Sequence, residues 1–189
     1  MRAFVAIDLP AEIHAALARE QSAFRAVAPD AKWTRAEGIH LTLKFLGHIS
    51  DDQVSLVAQA LTSLGRFEAF SIEVVGFGFF PDAHRPGVFW AGVEAPPALA
   101  QLASSVENAL EPLGFAREAR RFSPHLTLAR FKTPRVQPAL TARVSEGQQT
   151  TMGRFECSEF FLLASKLTRS GAEYRKVARF PAQPVARAL

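Results

Sequence analysis

The stretch His40-Leu41-Thr42-Leu43 recurs without change as His125-Leu126-Thr127-Leu128, 85 residues further along the chain. In an extended strand, side chains alternate between the two faces, so each copy places its His and Thr on one face and its two Leu on the other. The Leu pair can then be buried in a core while the imidazole and the hydroxyl face a cleft. We therefore predict two short, half-buried strands with matching polar faces.

Helix and strand signals surround the two copies in a similar order. After the first copy, Ser50-Asp51-Asp52-Gln53 has the pattern of a capping box, which predicts the start of a helix. The predicted helices cover 11–28, segments that begin near 50 and 96, and 138–144, and the predicted strands cover 2–9, 32–34, 69–80, 87–93, 154–166 and 173–180. Helices mixed with hairpin-like strand pairs predict an α+β fold with largely antiparallel sheets flanked by helices.

The repeat extends beyond the tetrapeptide. Four residue pairs are separated by the same 85 positions, namely His40/His125, Thr42/Thr127, Phe70/Phe155 and Phe89/Tyr174. This spacing predicts an internal duplication with pseudo-twofold symmetry. We expect one domain over residues 1–189, with two lobes built around the motifs 40–43 and 125–128 and a central cleft between them. Residues 181–189, which include two prolines, are predicted to form a loose tail.

The composition is that of an ordinary globular protein, with 48% hydrophobic and 21% charged residues. No apolar run approaches the roughly 18 residues that a membrane span needs, and the apolar segment within residues 1–8 is too short for a signal peptide. The single cysteine, Cys157, excludes an internal disulfide. These features predict a cytoplasmic protein that does not bind a membrane, and we expect it to be a monomer.

The net charge of +4 is concentrated around the second copy of the motif. Between residues 117 and 135 there is one acid, Glu118, against six basic residues: Arg117, Arg120, Arg121, Arg130, Lys132 and Arg135. A basic patch beside a candidate site favours an anionic substrate such as a phosphate or a nucleic acid. The alternative is a solvated basic loop with no ligand.

Two histidines on opposite sides of a cleft suit an in-line displacement at phosphorus. One group must take a proton from the nucleophile and another must give a proton to the leaving oxygen, and imidazole can do both near neutral pH. The hydroxyls of Thr42 and Thr127 lie in phase with the two histidines, so each can donate a hydrogen bond to a phosphate oxygen. A single His-x-Thr would more simply be a structural feature, since Thr is favoured in any strand.

The paired motifs resemble those of the two-histidine phosphoesterase superfamily. Residues 38–47 (GIHLTLKFLG) and 123–130 (SPHLTLAR) are similar to its RNA 2′,3′-cyclic phosphodiesterase branch, as is the opening strand of residues 1–8 (MRAFVAID). The resemblance implies a bilobal fold with both His-Thr pairs in a V-shaped cleft, and neither a metal nor another cofactor. It also implies attack of water on the terminal 2′,3′-cyclic phosphate of an RNA, tRNA-like ends included, which leaves a 2′-phosphate.

The same resemblance implies a role for each histidine. His40 would protonate the leaving 3′-oxygen and His125 would activate water, although the spacing of the residues does not assign these roles. Reversible joining of two RNA ends through a 2′–5′ linkage is associated with this family.

Three further residues are candidates for binding substrate. By the resemblance, Arg130 matches a position that contacts phosphate and Phe45 one that packs on the terminal base. Strict alternation from His125 and His40 would place both on the Leu face, unless the strands end or bulge, or the residues act from the rim of the cleft. Lys44 is in phase with His40, so it is a candidate for contacting substrate. The alternative interpretation is that Lys44 is an ordinary exposed lysine.

Other functions remain open from the residues alone. A metal hydrolase would need about three protein ligands, and the two histidines have no nearby acid or cysteine at ligand spacing. A non-catalytic protein that binds RNA ends or nucleotides would keep the cleft but would not need two groups for proton transfer. The same chemistry could also act on a small cyclic nucleotide or on a 2′–5′-linked oligonucleotide.

Overall fold

The structure is a computed structural model that describes residues 1–64, 67–168 and 171–182. Its helices are α1 (Ala11–Arg25), α2 (Asp51–Thr62), α3 (Pro97–Leu110) and α4 (Pro138–Glu146), with short 3₁₀ turns at Ala36–Gly38 and Glu111–Leu113. Its strands are β1 (Arg2–Ile7), β2 (Lys32–Trp33), β3 (Leu41–His48), β4 (Phe70–Phe80), β5 (Val88–Glu94), β6 (His125–Arg130), β7 (Thr151–Cys157), β8 (Glu159–Thr168) and β9 (Gly171–Pro181). None of these helices has the length and apolar character needed to cross a membrane.

The strands form two sheets, and each sheet carries one copy of the motif. The first sheet has the order β3-β1-β8-β9 and the second has the order β2-β6-β5-β4-β7. Every neighbouring pair is antiparallel. The four motif leucines, Leu41, Leu43, Leu126 and Leu128, are all buried in the main core. The predicted α+β class with largely antiparallel sheets is therefore confirmed.

Local sequence signals account for the helix ends. The Ser50 hydroxyl accepts a hydrogen bond from the Gln53 backbone N–H, and the Gln53 side chain accepts one from the Ser50 N–H, so the predicted capping box is confirmed. Helix α1 ends at Arg25 rather than at the predicted residue 28, because the next turn tightens before Pro29.

The strand predicted over 154–166 consists of two strands in different sheets. Strand β7 ends at Cys157 as the edge of the second sheet, and β8 begins at Glu159 in the first sheet. A single residue, Ser158, separates the two strands and no glycine or proline marks the junction, so the local sequence favours one continuous strand. The predicted tail begins within structure, since Pro181 ends β9 and the Ala182 N–H bonds the Ser158 carbonyl. Residues 183–189 lie outside the described part of the chain.

The order of elements around the two motifs repeats, but two of the residue pairs predicted for the duplication do not lie on equivalent strands. Phe70 and Phe155 lie on β4 and β7, which pair directly within the second sheet, so they are not symmetry mates. Phe89 lies on β5 beside the motif strand β6, and the strand that flanks the other motif strand is β1, which carries Phe4. Tyr174 lies on the edge strand β9. The matching units are therefore β1-α1-β3-α2 and β5-α3-β6-α4, and the sheets do not coincide with the two halves of the chain.

Candidate active site

The structure brings both motif copies to one cleft. His40 and Thr42 from the first sheet and His125 and Thr127 from the second line a shared cavity of about 280 Å³. A slightly larger cavity of about 330 Å³ lies near α2, α3 and β8 and contains no histidine. The two cavities are similar in size, and the position of the titratable side chains identifies the cleft as the candidate site.

Each imidazole is oriented by a carbonyl two residues upstream. His40 Nδ1 lies 2.9 Å from the Gly38 oxygen, and His125 Nδ1 lies 2.8 Å from the Ser123 oxygen. A carbonyl oxygen only accepts hydrogen bonds, so each Nδ1 carries a proton and donates. In the neutral ring Nε2 is then the free acceptor, which is the nitrogen available for proton transfer.

His40 is packed among aromatic rings. The Phe4 ring stacks on it with centroids 4.4 Å apart, and the edge contact with Tyr174 has centroids 5.0 Å apart. Burial lowers the pKa of His40 from 6.5 to about 4, while the hydrogen bond to Gly38 and the charge of Asp8 oppose this shift. His40 is therefore neutral in the free protein near pH 7.

His125 has a more open environment with a cation close by. Phe80 contacts it edge-on, with ring centroids 4.8 Å apart. The pKa of His125 is also lowered, first by burial and further by the positive charge of Arg130, while the hydrogen bond to the Ser123 carbonyl opposes the shift. The two histidines thus share the direction of their shifts but differ in their charged neighbours, Asp8 for His40 and Arg130 for His125.

A bulge in each motif strand reverses the side-chain phase. In β3 paired with β1, Thr42 is opposite Ala6 and Lys44 is opposite Val5, so Leu43 is the extra residue. In β6 paired with β5, Thr127 is opposite Trp90 and Ala129 is opposite Phe89, so Leu128 is the extra residue. Beyond each bulge, a side chain that strict alternation would place in the core faces the cleft. A side chain that strict alternation would place in the cleft faces the core.

This reversal places Phe45 and Arg130 in the cleft. Both line the cavity together with the histidines, Phe45 with 55% of its surface exposed. The sequence left open whether the two strands end, whether they bulge, or whether these residues act from the rim of the cleft. The structure shows that both strands bulge. Of the six basic residues between 117 and 135, Arg130 is the one that lines the cavity; Arg117 pairs with Glu111 and Arg135 with Asp30.

The predicted position of Lys44 on the face of His40 is wrong. The same bulge turns Lys44 into the core, where 2% of its surface is exposed. Its ammonium donates to Glu107 on α3 at 2.5 Å and to the carbonyl of Ala116 at 2.8 Å. A buried ammonium with these partners is not available to a ligand in the cleft, so Lys44 is not a substrate-binding residue.

Each bulge is supported by a polar side chain from a helix of the other unit. The Lys44–Glu107 pair connects the β3 bulge to α3. At the β6 bulge, the buried Gln21 of α1 donates to the carbonyls of Leu128 at 3.0 Å and Thr34 at 2.8 Å. The Thr34 N–H also donates to the Leu128 carbonyl. The bulges, and with them the cleft-facing residues, therefore depend on contacts across the molecule.

Two further residues that line the cleft were not predicted as site residues from the sequence. Arg2 on β1 and Tyr174 on β9 both line the cavity. The Tyr174 ring lies over Gly38, where an added Cβ would come within 3.0 Å of it. Burial raises the pKa of Tyr174, and the charges of Arg130 and Arg2 oppose that shift. The only available signal was that Tyr174 is the single tyrosine of the chain, which does not indicate a site.

The comparison with known families agrees with this geometry. The sequence model of the 2′-5′ RNA ligase superfamily matches residues 2–169, and the chain belongs to that superfamily. Among curated relatives, the RNA 2′,3′-cyclic phosphodiesterase of Aeropyrum pernix is 37% identical over 160 residues, which cover 84% of this chain and 90% of that protein. The protein of the same name from Methanothermobacter thermautotrophicus is 32% identical over 175 residues, covering 92% of this chain and 95% of the relative.

Solved structures show the same fold over nearly the whole chain. A Thermus thermophilus protein superposes with a TM-score of 0.79 at 29% identity and covers 96% of this chain and 97% of its own. E. coli LigT complexed with 3′-AMP superposes with a TM-score of 0.78 at 26% identity and covers 97% of this chain and 98% of its own.

Proposed function

We propose that this protein hydrolyses the terminal 2′,3′-cyclic phosphate of RNA to a 2′-phosphomonoester by acid–base catalysis with two histidines. The observation that carries the proposal is the pairing of two imidazoles, each with Nδ1 bonded to a carbonyl and Nε2 free, in one cleft with Arg130. The names of the relatives, RNA 2′,3′-cyclic phosphodiesterases from archaea and bacteria, support the same activity.

In the proposed step, Nε2 of His125 takes a proton from water as the water oxygen bonds to phosphorus. The bond between phosphorus and the 3′-oxygen breaks, and His40, protonated on Nε2, gives its proton to that oxygen. The products are a 2′-phosphate and a free 3′-hydroxyl, and the step leaves His125 protonated and His40 neutral. The starting state returns when His125 releases a proton to solvent and His40 takes one up. With the 5′-hydroxyl of a second RNA as the nucleophile in place of water, the same displacement would join RNA ends through a 2′–5′ linkage, and its reverse would cleave that linkage.

Charged neighbours support this division of roles. The positive charge of Arg130 favours neutral His125, as a base requires, and the negative charge of Asp8 favours protonated His40, as an acid requires. Burial keeps His40 neutral in the free protein, so His40 would take up its proton when an anionic phosphate enters the cleft.

The other cleft residues would stabilise charge and hold the terminal nucleotide. The hydroxyls of Thr42 and Thr127 would donate to the non-bridging phosphate oxygens, where negative charge grows in the transition state. Arg130 would offer its guanidinium to the same oxygens, because its planar fork suits phosphate. Phe45, exposed at the cleft, would pack against the terminal base.

The chain would act in the cytoplasm as a monomer, on RNA 3′ ends of the tRNA-like kind, with nucleotides as further ligands, and without a metal or another cofactor. Two histidines that perform both proton transfers leave no step for which an additional Lewis acid is needed.

The test is incubation of the purified protein with a short RNA that ends in a 2′,3′-cyclic phosphate, in excess EDTA, followed by identification of the phosphate position. We expect a 2′-phosphate product, and no product from the double variant His40→Gln/His125→Gln. A 3′-phosphate product, or loss of turnover in EDTA, would refute the mechanism. Tight binding of the RNA without turnover would instead indicate a non-catalytic RNA-end binder.

A further inference from the structure

Two basic residues lie directly opposite each other on neighbouring strands beside the cleft. Lys32 on β2 is the cross-strand partner of Arg130 on β6, and the next pair is Trp33 with Ala129. Cross-strand partners have their side chains on the same face of a sheet. Trp33 packs against the core and contacts Phe89 with ring centroids 6.0 Å apart. Lys32, one residue away, therefore lies on the opposite face, which is the face from which Arg130 lines the cleft.

Such a pair is unfavourable in the absence of a ligand. Like charges directly opposite each other destabilise a sheet. Within the described ranges no acidic side chain forms an ion pair with either residue. The acids close to Lys32 in sequence are already engaged, Asp30 with Arg135 and Glu37 with Arg35. The positive charge of Lys32 and Arg130 is thus left for an anion from outside the protein.

The position of Lys32 indicates which anion. Strand β2 is the edge of the second sheet, so Lys32 lies one strand, or about 4.8 Å, outward from Arg130. An RNA whose terminal phosphate lies at Arg130 and the histidines continues as a chain of further phosphates. We propose that Lys32, together with Arg130, forms a second phosphate subsite that holds the phosphodiester next to the terminal nucleotide. The protein would therefore prefer oligonucleotide ends to mononucleotides.

This inference rests on the proposed function, which supplies the first phosphate position. Lysine suits the second position because an ammonium on a flexible stem can follow a phosphodiester without requiring a fixed geometry. An exposed contact of this kind contributes modestly to affinity and is sensitive to salt.

The test compares two substrates with the same terminal nucleoside, a nucleoside 2′,3′-cyclic phosphate and the corresponding dinucleotide. We expect wild type to have the higher kcat/KM for the dinucleotide. The variant Lys32→Gln should reduce the ratio of the two kcat/KM values by about three- to fivefold, the scale of one exposed charge contact. The same variant should make the slope of log binding constant against log salt concentration less steep by about 0.7 for the dinucleotide. Lys32→Arg should retain both the wild-type kcat/KM ratio and the wild-type salt dependence.

Two controls isolate the subsite. Arg154→Gln removes the same charge on β7, at the opposite edge of the same sheet, and should leave the ratio unchanged. A dinucleotide with a neutral methylphosphonate linkage should show no dependence on Lys32. Because Lys32→Gln removes a repulsion, its thermal midpoint should equal or exceed that of wild type, so reduced stability would point to a structural role instead.

A ratio that Lys32→Gln does not change, or changes as much as Arg154→Gln does, would overturn the inference. If wild type hydrolyses neither substrate, the proposed function fails, and the subsite is then tested by calorimetry alone. In that experiment a dinucleotide with a terminal 2′-phosphate should bind more tightly than the nucleoside 2′-phosphate, with a difference that depends on Lys32. Equal binding in Lys32→Gln and wild type would refute the subsite independently.

Discussion

Phe45 and Arg130 are 85 residues apart and reach the cleft in the same way, each two residues after a bulged leucine. Without the bulges at Leu43 and Leu128, both side chains would point into the core. The same backbone irregularity therefore produces two different contacts, an aromatic ring on one side of the cleft and a guanidinium on the other. On the β3 side it also creates a buried site for Lys44.

Neighbouring residues Lys44 and Phe45 should respond differently to substitution. Lys44→Met leaves the Glu107 carboxylate, 13% exposed, without its partner, and should lower the free energy of unfolding by about 3–5 kcal/mol. Phe45→Ala should change stability by about 0.5 kcal/mol or less, and should instead raise KM. Urea unfolding and steady-state kinetics measure both effects. The double variant Lys44→Met/Glu107→Leu should recover much of the lost stability, and full stability of Lys44→Met alone would show that the ion pair does not support the bulge.

Loss of either cleft histidine should reduce turnover with little effect on folding. We expect His40→Gln and His125→Gln each to lower kcat by about 10²–10⁴-fold, the usual contribution of general acid–base catalysis. His48→Gln is the matched control, since His48 lies exposed at the end of β3. Circular dichroism would establish that the variants fold. Wild-type turnover in either cleft variant would exclude that residue from proton transfer.

The pH dependence of the reaction should differ between free and bound enzyme. Both histidines have lowered pKa values in the free protein, so the bell-shaped profile of kcat/KM should be centred below the ordinary histidine pKa of about 6.5. An anionic phosphate in the cleft favours the imidazolium form. The profile of kcat, which reports the bound enzyme, should therefore lie at higher pH. A flat profile would count against paired imidazoles. Single-turnover measurements would show whether slow product release conceals the acid and alkaline limbs of the pH profile.

The burial of His40 should make folding sensitive to acid. Its pKa falls from 6.5 to about 4 on folding, so the unfolded chain binds the proton more tightly. The stability is complete above pH 6.5 and is lost as the pH falls toward 4. The loss amounts to about 3 kcal/mol at 1.36 kcal/mol per pKa unit. Urea unfolding of wild type and His40→Gln across this range measures the difference. Equal losses in the two proteins would mean that His40 is not desolvated.

Arg130→Ala should act on both binding and titration. We expect KM to rise and its dependence on salt to weaken, because one phosphate contact is lost. Removal of the positive charge should also raise the pKa of His125, since Arg130 lowers it in wild type. NMR titration of the His125 ring would measure that shift, with Arg154→Ala as the control for a change in net charge. An unchanged KM would remove Arg130 from the substrate site.

Much of the fold was readable from local sequence. The capping box at Ser50–Gln53 is an interaction within one turn, so four residues suffice to predict it. The alternation in the two motif copies likewise predicted which side chains are buried and which face the cleft, because His40, Thr42 and their two leucines lie before the phase changes. The pairing of the two copies also predicted that both would contribute to one site.

The tertiary structure decided where the side chains beyond the two motifs lie. The bulges at Leu43 and Leu128 arise from pairing with β1 and β5 and from Glu107 and Gln21 on distant helices, so no local pattern encodes them. The positions of Lys44, Phe45 and Arg130 depend on those bulges. Tyr174 reaches the cleft from a strand that is remote in sequence. Local sequence determined which residues share a face within a strand, whereas register and bulges depend on the partner strand and were fixed only when the sheets assembled.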